Sequence, residues 1–239
     1  MSSKDVSMLG LGSGMAKVSS IPGGRTGVAH AGLFDVSLAP PEASPEALKI
    51  CYRLLASMSE MDGTILVAGM GAEDATSRLA VQLACGLSQV QPEKVVLVDA
   101  ERGGGSLPEM FGVVPKPGLG ELLSQSAILA DAVRQITPKL FFLPAGAPGL
   151  EASQFASPAF ADLIERQLRR DFRYVIISSA PFGERTDVHL LAPHSDGLVL
   201  AVYAGQRRRD ELVELKNELR ATRTKILGVV LVESGLPGD

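Results

Sequence analysis

The chain of 239 residues is long enough for one α/β domain with a buried core or two very small ones, and no internal shift of composition marks a boundary, which favours a single domain. With 46% apolar and 21% charged residues it belongs with globular proteins, neither disordered nor fibrous. A formal charge of -4 argues against broad electrostatic binding of nucleic acid, and no nucleic-acid partner is expected. Cys51 and Cys85 stand far apart in apolar helical contexts without metal-ligand spacing, and read as buried small hydrophobes of a reduced cytosolic interior. The first residues lack a basic stretch followed by a sustained apolar one, and no apolar run reaches the roughly 20 residues that span a bilayer. A cytoplasmic place is therefore expected, with any approach to the inner membrane made through a partner.

Residues 1–43, rich in Gly, Ser, Ala and Pro, predict a flexible or loosely packed extension ahead of a domain over 44–239. Gly10, Gly12 and Gly14 imitate a dinucleotide fingerprint, but no strand of adequate length is evident before them and no acidic residue follows at the required distance. Ser44 reads as the cap of a helix opened by Pro45, with Leu48, Cys51, Tyr52 and Leu55 as its inward stripe. Aliphatic runs then start at Thr64, Val95, Leu140, Tyr174, Gly197 and Ile226, separated by helical stretches. Continuous apolar strands mean that both faces are covered, which predicts a three-layer α/β fold with a mainly parallel sheet. Ser157 reads as a cap before Pro158, with Phe160, Leu163, Ile164 and Leu168 facing inward. A further helix is predicted from about Arg208 to Thr222, turning Leu212, Leu215 and Leu219 inward.

ILVAGMGAEDATSRLAVQLACGL, residues 65–87, has the form of a phosphate-binding strand, loop and helix. VVLVDAERGGGSLPEMFG, GLGELL, LPAG, FRYVII and TDVHLLAPHSDGLVLAV follow it. Together these segments resemble, in order and spacing, the cytoplasmic kinase domain of the BY-kinases of capsule and exopolysaccharide assembly. Behind these stands the MinD/ParA group of P-loop ATPases. The resemblance covers about Ser44 to Val232 and implies a P-loop NTPase-like fold. It also implies a partner: a membrane polysaccharide co-polymerase or chain-length protein, with self-association or an active paralogue beside it. EALK at Glu46 falls where the family carries an oligomerisation helix, with Lys49 and Tyr52 at the arginine positions.

The family binds Mg-ATP, and each of its motifs bears on this chain through particular residues. A phosphate-binding loop needs glycines so that backbone N–H groups surround the phosphates, a lysine for charge and a hydroxyl for magnesium. By resemblance Ala75 stands at the last loop glycine, Thr76 at the lysine, Ser77 at the hydroxyl, and Glu73 at another glycine. One lysine–phosphate contact is worth about 4 kcal/mol at about 4 Å and an effective dielectric near 20 before desolvation, about a thousandfold in affinity. Arg78, in the first turn of the following helix, is the candidate to reach back to a phosphate. Asp99 matches the first aspartate of the second acidic motif and Glu101 keeps charge at the second. Ser178 stands where the third motif has its aspartate, and Val232 where an asparagine meets adenine. The only tyrosines are Tyr52, Tyr174 and Tyr203, so the family's tyrosine-rich tail is missing from this chain.

His30, His189 and His194 are scattered and read as ordinary histidines, and no Gly-x-Ser-x-Gly elbow surrounds Ser178 and Ser179. The expectation is a catalytically degenerate, pseudokinase-like cytoplasmic protein acting by interaction in capsule or exopolysaccharide biosynthesis, with no cofactor. Its vestigial nucleotide site comprises Thr76, Ser77, Arg78, Asp99 and Glu101, with Ser77 and Asp99 as metal ligands only if nucleotide binds. The competing readings are an unorthodox ATPase or tyrosine kinase using ATP and magnesium, and a positioning factor of the MinD/ParA kind.

Overall fold

The computed structural model describes residues 5–9, 15–19, 42–57, 63–70, 73–103, 105–181, 186–203 and 224–232. Each aliphatic run becomes a strand: β3 (Gly63–Met70), β4 (Val95–Asp99), β6 (Leu140–Leu143), β7 (Tyr174–Ser178), β8 (Gly197–Tyr203) and β9 (Ile226–Val232), after β1 (Asp5–Leu9) and β2 (Met15–Ser19). The short β5 (Arg134–Gln135) completes a sheet of order β2-β1-β9-β8-β3-β7-β4-β6-β5. From β9 to β6 every pairing is parallel, while β5 and the β1–β2 hairpin run antiparallel at the two edges.

Strand β1 corrects one expectation, because a strand does precede Gly10. It pairs antiparallel with β2 within a hairpin, so a strand follows it where the dinucleotide fold requires a helix. The predicted helix over Arg208–Thr222 lies outside the described residues.

Period-two alternation divides the core between the two faces. Ile65, Val67, Val95, Leu97 and Ile176 face α1 (Pro45–Ser57) and α2 (Glu73–Val90). Leu66, Val96, Val98, Val175 and Ile177 meet the opposite layer, where Phe160, Leu163, Ile164 and Leu168 pack. Ser44 caps α1 as expected, its Oγ accepting from Ala47 N at 3.1 Å. The inward face is rotated from the predicted one. Ala47, Ile50, Cys51 and Leu54 are buried, and Tyr52 is 60% exposed. Cys51 sits over Gly86 of α2, whose lack of a side chain lets the two helices touch. Burial pushes both the Cys51 and Cys85 thiols up to about 12.

Helices α3 (Leu107–Phe111), α4 (Leu119–Leu123), α5 (Leu129–Ala132), α6 (Ala152–Phe155) and α9 (Asp187–Leu191) are short connectors. Ser157 caps α7 (Pro158–Asp162) through Phe160 N at 3.2 Å. The chain then winds as a π-helix over Leu163–Leu168 before α8 (Arg169–Asp171), keeping Leu163, Ile164 and Leu168 buried.

The GLGELL and LPAG segments prove to be one structural joint. Leu119 N and Gly120 N donate to Pro144 O at 2.8 Å and Ala145 O at 2.9 Å. The Glu121 carboxylate accepts from Gly118 N at 2.8 Å and Ala147 N at 3.0 Å. Partial burial opposes ionisation of Glu121, but these N–H groups outweigh it and lower its pKa. A Cβ on Gly118 would overlap Pro144 O and the Gly146 backbone, whereas one on Gly120 meets only Ala145 O at 3.5 Å and Ala147 O at 3.8 Å. Gly118→Ala should therefore lose about 1–3 kcal/mol of stability in urea denaturation. Gly120→Ala should change it by less than about 1 kcal/mol.

Candidate functional site

The carboxyl ends of the central strands form the edge where open parallel sheets hold ligands. Strand β4 ends at Asp99 and β7 at Ser178, directly paired in register, with Val67 of β3 on the other side of Ser178. Val95, Leu97 and Ile176 face α2, so alternation turns Asp99 and Ser178 the same way, beneath the start of that helix. Ala100 N donates to Ser178 O at 2.8 Å and Ser179 Oγ to Val67 O at 3.2 Å, which locks the three strand ends together.

Asp99 is fully buried. Its Oδ1 accepts from Glu101 N at 3.0 Å, and its Oδ2 has no partner. Burial raises its pKa to about 7, opposed by the backbone N–H groups of Glu101 and Ala145 and assisted by the Glu101 carboxylate. Ser178 Oγ and Thr76 Oγ1 are likewise buried without a partner. Thr76 folds down onto β3, where a Cβ on Gly69 would overlap its hydroxyl. Only Gly71 and Ala72 separate β3, ending at Met70, from α2, starting at Glu73. Ala75, Thr76 and Ser77 are thus helical residues, not loop residues, and all three are buried. The side chain of Glu73 lies outside the description, so its expected charge effect has no structural counterpart.

Of the predicted residues, Asp99 and Thr76 share the α2 side of this edge with Ser178. Ser77 is buried, and Arg78 is half-buried with no ion pair among the described residues. Glu101 is 7% exposed and folds against Gly105, where a Cβ would stand 2.5 Å from its Oε2. Val232 pairs with Tyr203 at the end of β9 and packs against the α2-side core. His194 stacks edge-on against Phe160 at 5.1 Å.

Sequence reasoning gave no role to the strongest ion pair at this edge. Arg102 Nε and Nη2 donate to Asp187 Oδ2 at 2.8 Å and Oδ1 at 2.7 Å, and Asp187 is wholly buried. This bidentate bond pushes the Arg102 pKa further up. The available signal was an aspartate at the first position of a short apolar helix, where the helix end favours negative charge.

With this geometry in view, known proteins can be set beside the chain. No protein-family model matches it. It is 27% identical over 157 residues to the tyrosine-protein kinase CpsD of Streptococcus agalactiae, covering 65% of this chain and 68% of that protein. It is 26% identical over 199 residues to the putative tyrosine-protein kinase EpsB of Ralstonia nicotianae, covering 80% of this chain but 26% of the relative. Its relatives are bacterial tyrosine-protein kinases. The chimerical protein CapA2B2 superposes with a TM-score of 0.73 at 23% identity over 82% of this chain and 87% of that one. The kinase domain of Escherichia coli ETK gives 0.70 at 18% over 78% and 74%. The ParA family ATPase of Chlorobium tepidum gives 0.57 at 20% over 72% and 74%. These likenesses show the fold: that of BY-kinase domains and ParA-type P-loop NTPases.

Two tests follow from the buried charges. A carboxyl whose native pKa is raised holds its proton more tightly when folded. Stability from this group is therefore fully present below the unfolded pKa of 3.8 and is lost as pH rises to about 7. The difference of about 3 corresponds to about 4 kcal/mol. Urea denaturation from pH 4 to 8 should show Asp99→Asn gaining on the parent by that order, with the gain levelling off above pH 7. Arg102→Met should strand the buried Asp187 carboxylate and cost about 3–5 kcal/mol in the same assay.

Proposed function

We propose that the chain is a catalytically degenerate, BY-kinase-like cytoplasmic protein that acts by protein–protein interaction in capsule or exopolysaccharide biosynthesis. Its partner is a membrane polysaccharide co-polymerase or chain-length protein, with an active paralogue or a second copy as further candidates. Any place at the inner membrane comes through that partner. Among the described residues no helix is long and apolar enough to cross a membrane.

The observation that carries this reading is the short link between β3 and α2. A phosphate cradle is a loop whose successive N–H groups turn inward around the anion, closed by a lysine. Here two residues join strand to helix, and Thr76, at the lysine position, is an uncharged buried residue laid over Gly69. Ser178 brings no carboxylate to the metal side, and the pKa of Asp99 leaves it about half protonated near neutral pH. These residues do not make the cation-rich, multi-carboxylate setting that magnesium and a triphosphate require.

One observation favours the enzyme reading: Asp99 keeps Oδ2 unpartnered at the strand end, with Ser77 in the adjoining helix turn. Titration of the purified chain with a labelled ATP analogue and magnesium separates the two. The proposal expects no saturation at millimolar nucleotide, together with co-purification with the polysaccharide co-polymerase of the same organism. Tight nucleotide binding abolished by Asp99→Ala would replace it with an ATPase or kinase.

A further inference from the structure

The layer across the sheet from α1 and α2 carries two open clefts, one on either side of α5. The first, of about 890 Å³, lies between the turn joining α4 to α5 and residues 158–167. The second, of about 590 Å³, lies between α5, Phe141 of β6 and residues 170–172. Ile128 and Leu129 line both clefts and form the ridge between them. Leu122, Leu123, Leu129 and Phe141 are only partly buried against the core beneath, and Ile128 is 65% exposed. Contiguous apolar surface rimmed by polar residues marks interaction sites.

The backbone is unusual on both walls of the first cleft. One wall is the π-helix Leu163–Leu168, a rare winding that is found frequently at functional sites. It keeps Leu163, Ile164 and Leu168 in the core while Glu165, Arg166 and Gln167 follow one another along the cleft. The other wall carries Gln125 at φ 57°, a left-handed position just past α4 where helix ends favour glycine.

The charge of the lining narrows what fits. Arg166 reaches Asp162 at 3.4 Å, Asp162 also accepts from Gln167 at 3.0 Å, and Arg170 donates to Asp171 at 3.0 Å. Of the charged residues lining the two clefts, Glu165 alone has no hydrogen bond or ion pair with a described residue. An occupant therefore needs apolar side chains for Ile128 and the leucines, and a cation for Glu165. Cytoplasmic segments that adjoin membrane helices have this character, an apolar stretch next to an excess of Lys and Arg. The chain's own net charge of -4 likewise favours a basic partner over a second copy. We propose that the two clefts dock a basic and apolar juxtamembrane segment of the polysaccharide co-polymerase. This inference rests on the function proposed above and gives that partner a surface on the opposite side of the sheet from α2.

The test uses the purified full chain, the co-polymerase of the same organism in detergent, and labelled synthetic peptides of its cytoplasmic juxtamembrane segments. Ile128→Asp and Glu165→Lys change exposed side chains, and Ile128 is the N-cap of α5, a position that accepts aspartate. Circular dichroism and urea midpoints matching the parent establish that each variant folds. Fluorescence anisotropy should show one peptide saturating the parent. Ile128→Asp should weaken that binding about tenfold or more, as expected for losing one buried aliphatic contact. Glu165→Lys should weaken it about fivefold at low salt and less at high salt. Absence of any saturating peptide would overturn the proposal. Capture of the co-polymerase by both variants as well as by the parent would overturn the clefts as its dock and leave the proposed function standing. Failure of the parent to capture the co-polymerase at all would overturn both. A dimer of the parent that Ile128→Asp dissolves would give the clefts to a second copy and overturn the proposal as well.

Discussion

The carboxyl group of Asp99 has no exposed surface, and its register neighbour on β7 is the uncharged Ser178. A carboxylate so placed has lost its hydration without gaining a cation, and its rise in pKa measures that loss. The rest of the edge is arranged around this constraint. Glu101 supplies a backbone N–H to one Asp99 oxygen, and its own carboxylate turns aside against Gly105. Arg102, the nearest cation in sequence, is spent on Asp187. The positive charge of Arg102 thus stabilises a buried aspartate on α9.

The same logic separates structural from chemical meaning in the motifs. GLGELL and LPAG keep company because one docks on the other through backbone bonds and a shared carboxylate, and a Cβ at Gly118 has no room. Their presence secures the fold and says nothing of phosphoryl transfer. The positions that the resemblance ties to chemistry include 76 and 178, and Thr76 and Ser178 are both buried hydroxyls.

Much of the fold was legible because its signals are local or periodic. The parallel strands are unbroken aliphatic runs, and the Ser44 and Ser157 caps announce their helices through short-range bonds that the structure contains. The rotation of α1 was not legible. Leu48 and Leu55 fit the same period as Ile50 and Leu54, and the choice is made by Cys51 meeting Gly86 on another helix. The hairpin strands β1 and β2 lacked a turn signal strong enough to override a Gly- and Ser-rich composition. At the candidate site, the resemblance named Thr76, Asp99 and Ser178. Only the register of β4 with β7 shows that Asp99 and Ser178 stand side by side. The Arg102–Asp187 pair links residues 85 positions apart, and its local trace is confined to the aspartate that opens α9.

The threonine at position 76 and the start of α2 at Glu73 act together. A helix that starts at Glu73 fixes residue 76 in its first turns, with the side chain directed back toward the strand it follows. At that place a long cation would have to pass Gly69 and the buried hydroxyls before reaching solvent. A threonine fits because it is short, and Gly69 accommodates it because it has no Cβ. Returning a lysine alone would therefore bury a charge beside a half-protonated acid rather than rebuild a cradle. Glu73 and Asp74 would have to unwind from helix to loop as well.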